Sequence, residues 1–266
     1  MSKKIAVIGV GNMAKAIISG IRASKVDVSE IHLYDVNPEQ YSSISGNDIV
    51  YTNSIEEAVS ACDCVLISVK PQNYSDVLPQ IAAVPFSPER IFITIAAGIT
   101  VDSVSKVLKT DNVVRVLPNL PMFIMKGVSA ICYNANVNEA DFNFIVDIFE
   151  SAGSVLKIEE CDINKIIGVT SSSPAYVFMF IKAVCDGAKL QGLECDGILE
   201  AVCDVVIGSA ELIKSGFGTP EALAKAVASK GGTTERALAV LDDNDFEKII
   251  ADAMIACTKR ADELGK

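Results

Sequence analysis

The chain has 266 residues, half of them apolar, which is enough for one large domain or two ordinary ones with packed cores. Its net charge of −11, with no run of Lys or Arg longer than two residues, argues against a nucleic-acid partner. One histidine, His32, leaves no means of building a Ser-His-Asp triad or a His-rich metal site, so no metal is expected and His32 reads as structural.

Short β-branched runs alternating with helical periods fill the first half. Ile5 to Ile8 reads as a buried parallel strand ending at Gly9, and a helix follows with Ala14, Ile17, Ile18 and Ile21 on one face. Ile31 to Tyr34 is the next strand, Tyr51 closes a short third one, and Ser54 to Ala61 is helical. The strands Cys64–Val69, Ile91–Ile95, Val113–Val116, Val128–Tyr133 and Val155–Ile158 continue the series. This order implies an α/β, doubly wound (Rossmann) dinucleotide-binding domain over residues 1–160.

Beyond residue 160 the strand pattern stops. Residues 163–169, 175–190, 196–215, 220–228, 234–241 and 246–264 carry helical periodicity, giving a smaller all-helical domain over 161–266. Ala175 to Ile181 is apolar on every face, so a helix there needs cover all round. In so small a domain a partner subunit is the natural cover, and a homodimer through the C-terminal helices is expected. The same apolar run is broken by Lys182 and Asp186, far short of the roughly 20 residues of a membrane span, so no membrane is expected. Lys3-Lys4 with only Ile5 to Ile8 before Gly9 is too short for a secretory signal. The eight cysteines are scattered, without a Cys-x-x-Cys pair, and read as reduced thiols of a cytoplasmic protein.

Gly9-Val10-Gly11-Asn12-Met13-Ala14 closes a strand and opens a helix. Gly9 permits a tight turn, Gly11 lets backbone approach a pyrophosphate, and Ala14 is small enough for helix and strand to pack. Asp35, ending the second strand, is placed to accept hydrogen bonds from adenosine ribose hydroxyls. No Arg follows it, so residue chemistry leans to NADH; the alternative is that Asp35 merely begins an Asp-x-Asn-Pro turn. Val69-Lys70-Pro71-Gln72 and Ala96-Ala97-Gly98-Ile99 end central strands at the carboxyl edge, where ligands of open α/β sheets bind, with small residues that leave room for a flat ring. Ser229-Lys230-Gly231-Gly232-Thr233-Thr234 precedes a helix and presents amides and hydroxyls suited to a small carboxylate, or is simply a capped loop.

Taken together, these segments, with Arg115-Val116-Leu117-Pro118-Asn119-Leu120-Pro121 and Pro174-Ala175-Tyr176-Val177-Phe178, resemble the pyrroline-5-carboxylate reductase family over essentially the whole chain. The resemblance implies reduction of 1-pyrroline-5-carboxylate, a small imine and carboxylate, to L-proline with NADPH or NADH, the family habit often being NADPH. It also implies a dimer interlocked through the helical domains, sometimes assembled further, with each active site shared between subunits. By the same match Thr234 hydrogen-bonds the ring nitrogen, the amides of Gly231, Gly232, Thr233 and Thr234 hold the carboxylate, and Ser229 belongs to the same substrate-binding turn. Gly9, Val10, Gly11, Asn12, Met13 and Asp35 hold the dinucleotide, and Val69, Lys70, Pro71, Gln72, Ala96 and Ala97 line the nicotinamide.

The chain departs from the family around the substrate loop. Lys230 stands for a usual proline, Ser171 and Ser173 for usual glycines, Asn164 and Ile167 for a usual Asp and Thr, and Lys225 for a usual acid. Two alternatives stay open at this level: a related imine or hydroxyacid oxidoreductase, and a catalytically silent dinucleotide-binding regulator.

Overall fold

The computed structural model describes residues 2–134 and 136–264. It divides into two compact units: one runs to Pro174 and includes the segment from Met254 onward, and the other is Ala175–Ala253.

The first unit is built on an eight-stranded sheet. Its strands are β1 (Lys3–Ile8), β2 (Val28–Tyr34), β3 (Ile49–Tyr51), β4 (Cys64–Ile67), β5 (Ile91–Thr94), β6 (Val113–Leu117), β7 (Gly127–Tyr133) and β8 (Gly153–Lys157), in spatial order 3-2-1-4-5-6-7-8. All neighbours pair in parallel except β6 and β7, which run antiparallel. The chain order reverses between β1 and β4, which is the switch point where such sheets open a ligand crevice.

Side chains alternate across this sheet, so each strand feeds two cores. Ile5, Val7, Leu33, Leu66, Ile93, Val114 and Val116 pack with the buried faces of α1 (Asn12–Ala23) and residues of a later helix, Glu139–Glu150. Ala6, Ile8, Val65, Ile67, Phe92, Val113 and Leu117 face the other way. They meet Ile55, Ala58 and Val59 of α2 (Ile55–Ser60), Tyr74, Leu78 and Ile81 of α3 (Tyr74–Ala82), and Val101, Val104 and Leu108 of α4 (Val101–Leu108). With Glu139–Glu150 as α5, helices cover both faces, which is why the strands are continuously apolar. His32 is buried on β2 with Nε2 2.8 Å from Glu30 Oε2, a structural position.

After β8 come α6 (Ile163–Ile166) and a five-residue π-helical turn, Ile167–Ser171, in which the Ser172 amide donates to Ile167 O at 2.8 Å. The turn sits where Gly168 lies against Met254, a place where a Cβ would come within 3.0 Å of the Met254 Cβ. Buried Asn119 ties it down: its Nδ2 donates to Thr170 O at 2.9 Å while its Oδ1 accepts from the Val128 amide at 2.8 Å.

The remaining helices are α7 (Ser173–Leu190), α8 (Ile198–Lys214), α9 (Pro220–Val227), α10 (Thr233–Asp243) and α11 (Phe246–Leu264). In α7, Phe178, Met179 and Phe180 are half or more exposed, so the all-round apolar helix stands uncovered in a single chain. The helical run Glu160–Leu190 is also longer than Ala175–Ile181 alone suggests. Its 31 residues include a window of mean hydropathy 1.3, which by length and composition could cross a membrane. The expectation that no segment reaches that length is corrected here, because the π-turn joins α6 and α7 into one helical stretch.

Candidate functional site

The turn after β1 is fixed by close packing. Gly9 has φ +89°, and a Cβ there would lie 2.8 Å from Val69 Cγ1 and 2.9 Å from Ser68 O, so the turn passes hard against the end of β4. The Gly9 amide donates to Tyr34 O at 2.8 Å, joining the turn to the end of β2 as well. Gly11 is the extended N-cap of α1, and a Cβ on it would meet nothing within 4 Å, so its outer side is open. Ala14 is fully buried where helix meets sheet.

The start of α1 is chemically unlike that of its neighbours. α2 has Ser54 capping the Glu57 amide, and α4 has Thr100 capping the Ser103 amide. α1 has no side-chain cap and no acidic residue in its first turn. The N–H groups of a first helical turn have no intrahelical partner, and the helix dipole makes that end positive. An uncapped, acid-free helix start at a sheet switch point has the free donors and the positive end that a phosphate group requires.

Asp35 is already engaged. Its Oδ2 accepts from the Val10 amide at 2.7 Å and its Oδ1 from the Asn37 amide at 2.9 Å. The Asp-x-Asn turn foreseen in the sequence is therefore present, and the same carboxylate braces the glycine loop. Each oxygen keeps a free lone-pair direction, and the residue is only partly buried.

The two other loop ends stand at the same carboxyl edge. Lys70 is exposed and caps a short 3-10 turn, Pro71–Asn73, that leads into α3; Val69 and Pro71 are partly buried, and Gln72 is exposed. Buried Tyr74 joins the ends of β4 and β5 from below, its hydroxyl donating to Ile67 O at 2.9 Å and lying 2.7 Å from Thr94 Oγ1. Burial pushes that phenol well above its ordinary value, so it stays protonated. Ala96 is buried, Ala97 is partly exposed, and Gly98 turns with φ +81°.

The second unit holds the Gly-Gly-Thr-Thr turn. Gly231 has φ +73° and donates its amide to Glu235 Oε2 at 2.6 Å; the Gly232 amide donates to Ser229 O at 2.9 Å. Thr233 begins α10, which has no side-chain cap and whose first intrahelical bond is donated by Arg236, so the donors left at that helix start belong to Thr233, Thr234 and Glu235. Ser229 is held close, since a Cβ on Gly232 would come 2.4 Å from its Oγ. Sequence reasoning did not foresee that the Gly231 amide is spent on Glu235.

A family model for pyrroline-5-carboxylate reductase dimerisation matches residues 160–264, and one for NADP oxidoreductase, coenzyme F420-dependent, matches residues 4–98. The pyrroline-5-carboxylate reductase of Escherichia coli (strain K12) is 34% identical over 269 aligned residues, with 100% of each chain covered. The chain belongs to the pyrroline-5-carboxylate reductase family. A crystal structure of the Plasmodium falciparum pyrroline carboxylate reductase with NADP bound is similar at TM-score 0.89 and 27% identity, covering 99% of this chain and 98% of that one. A Streptococcus pyogenes member of the family is similar at TM-score 0.89 and 28% identity, covering 98% of both. The segment matched by the NADP oxidoreductase model contains the Gly9 turn, Asp35, Val69–Gln72 and Ala96–Gly98, and the segment matched by the dimerisation model contains the Gly-Gly-Thr-Thr turn.

Replacing Gly9 tests the packing of the turn. Gly9→Ala should cost about 1–3 kcal/mol of stability, read from the urea midpoint, and weaken dinucleotide binding, because it adds strain and a steric clash together. An unchanged midpoint would mean that the turn can relax away from Val69.

Proposed function

We propose that this chain reduces 1-pyrroline-5-carboxylate to L-proline, the last step of proline synthesis, using a nicotinamide dinucleotide. The carrying observation is the uncapped, acid-free start of α1 behind Gly9, in a chain that is 34% identical to a named reductase over its full length. The cofactor, when bound, supplies a hydride from C4 of its nicotinamide ring. Gly9, Val10, Gly11, Asn12 and Met13 bind the pyrophosphate. Val69, Lys70, Pro71, Gln72, Ala96 and Ala97 set the ring, and their small or flat surfaces leave room for it.

The substrate is a cyclic imine, electrophilic once protonated, so the reaction needs positioning more than a strong acid. Hydride adds to the imine carbon, the C=N pair moves to nitrogen, and the secondary amine of proline results. Ser229, Gly231, Gly232, Thr233 and Thr234 form the substrate turn: the Gly231 and Gly232 amides, bonded to Glu235 and Ser229, shape it, and the Thr233 and Thr234 amides take the carboxylate. The Thr234 hydroxyl hydrogen-bonds the ring nitrogen and fixes the face presented to the hydride.

NADH is the preferred donor in this reading. The Asp35 carboxylate lies at the end of β2 with lone pairs to spare for ribose hydroxyls, and a 2′-phosphate would meet its negative charge. The functional division follows residues 1–160 for dinucleotide and 161–266 for dimerisation and substrate. The exposed Phe178, Met179 and Phe180 of α7 are covered by a second copy in a homodimer, which also accounts for the apolar run without a membrane and suits a cytoplasmic enzyme.

Purified protein given 1-pyrroline-5-carboxylate should oxidise NADH and NADPH and yield L-proline; binding of either dinucleotide without turnover would contradict the reaction. Thr234→Ala should lower kcat by about 10–100-fold, the cost of one or two positioned hydrogen bonds, and an unchanged rate would remove Thr234 from the chemistry. Asp35→Ser should move the kcat/KM ratio towards NADPH. If the ratio stays fixed, Asp35 serves only to brace Val10 and Asn37.

A further inference from the structure

Arg115 sits in the middle of β6 with 1% of its surface exposed, on the sheet face shared with Val113 and Leu117. Burial alone pushes its pKa down, but a guanidinium keeps its proton, so the charge must be answered inside the fold. Two carboxylates answer it by different routes. Glu160 Oε1 lies 3.8 Å from Nη1, but spends its short bond on the Val101 amide at 2.6 Å. The second route runs through an amide: Arg115 Nη2 donates to Asn164 Oδ1 at 2.8 Å, and Asn164 Nδ2 donates to Asp262 Oδ1 at 2.8 Å. A guanidinium only donates and a carboxylate only accepts, so this chain fixes which way the Asn164 amide points.

Both routes end on the loop that follows β5. Glu160 holds Val101, the first residue of α4, and thereby the far end of residues 96–101. Asp262 belongs to the last turn of α11, and that turn presses on Gly98. A Cβ at Gly98 would lie 2.8 Å from Leu264 Cβ and 3.1 Å from Ala261 O. Ala261 itself is buried in the same core as Ala96 and Val101. Loop 96–98 is therefore held between strand β5 and the end of α11, with Arg115 as the common anchor.

We propose that Asn164 and Asp262 are positioning residues for the nicotinamide end of the cofactor: through the buried Arg115 they seat the last turn of α11 against Gly98 and so fix the Ala96–Gly98 wall. The inference rests on the reading that Ala96 and Ala97 line the nicotinamide. Neither residue touches substrate or cofactor. They act by keeping the wall in one place, and a shift of an ångström at such a wall costs a hydride transfer on the order of a hundredfold. The adenine half of the dinucleotide, held at Gly9 to Asp35 on the other side of the switch point, is outside their reach.

Asp262 is at the surface, so its variants leave the core packing intact. The test compares Asp262→Ala, Asp262→Asn and Asn164→Ala in the full-length protein. Three readouts are taken: kcat with 1-pyrroline-5-carboxylate, the fluorescence change of the reduced nicotinamide on binding, and the Kd for ADP-ribose. Asp262→Ala and Asn164→Ala should lower kcat about 10–100-fold and blunt the fluorescence change, with the ADP-ribose Kd held within about twofold. Asp262→Asn keeps an acceptor for Asn164 and should restore both signals to near the parent level. The proposal is overturned if Asp262→Ala leaves the fluorescence change intact, if ADP-ribose affinity falls in step with kcat, or if Asp262→Asn is as impaired as Asp262→Ala. The fluorescence arm needs no turnover, so a parent protein inactive on this imine would contradict the proposed reaction without deciding the role of Asn164.

Discussion

The turn after β1 runs so close to the end of β4 that residue 9 has no room for a Cβ. That contact sets the rest of the dinucleotide unit. The same residue has a positive φ that only glycine adopts freely, and the reversed chain then enters α1 with its N-terminus over the carboxyl edge. The same contact brings Val69 beside the glycine turn, so the loop expected to border the nicotinamide starts within van der Waals reach of it. Asp35 completes the frame from the opposite side by holding the Val10 amide.

Rigidity at this edge comes from a few buried polar bridges rather than from the apolar core alone. Tyr74 links the ends of β4 and β5, Asn119 links the β6–β7 connection to the π-turn, and Arg115 links β6 to α6 and, through Asn164, to α11. Each bridge has a buried polar side chain at its centre, Tyr74, Asn119 or Arg115, that would be left unpaired if its partners were lost. That asymmetry makes such networks costly to break. The Gly-Gly-Thr-Thr turn is built differently: it is exposed, stabilised by short-range bonds to Ser229 and Glu235, and its remaining donors belong to a helix start.

The sheet was legible because its strands are continuous β-branched runs, and β1, β4, β5 and β6 lie within a residue or two of where the pattern puts them. The glycine turn was legible because its spacing has a local steric cause. What escaped was long-range. Nothing local in Val113-Val114-Arg115-Val116 says which residues answer the buried guanidinium, although a charged residue inside an apolar strand is a signal that some must. Asn164 stood out only as a departure from the family pattern, and its bridge from residue 115 to residue 262 appears only in the fold. The end of α11 joining the first unit was likewise hidden, since helical periodicity does not say which core a helix end serves. At Asp35 the sequence offered a ribose ligand or a turn residue. The turn exists, and the carboxylate also braces Val10, a role no local pattern announces.

The most direct measurement is amide hydrogen exchange with and without NADH or NADPH, read across the β1–α1 turn. A pyrophosphate seated on α1 must slow exchange at Gly11, Asn12, Met13 and Ala14, whose first-turn amides have no intrahelical partner. Residues 96–98 should gain protection in the same experiment, while Thr233 and Thr234 respond only when a carboxylate substrate is added. Saturating dinucleotide that leaves Gly11 to Ala14 unprotected would contradict the placement of the cofactor on this turn.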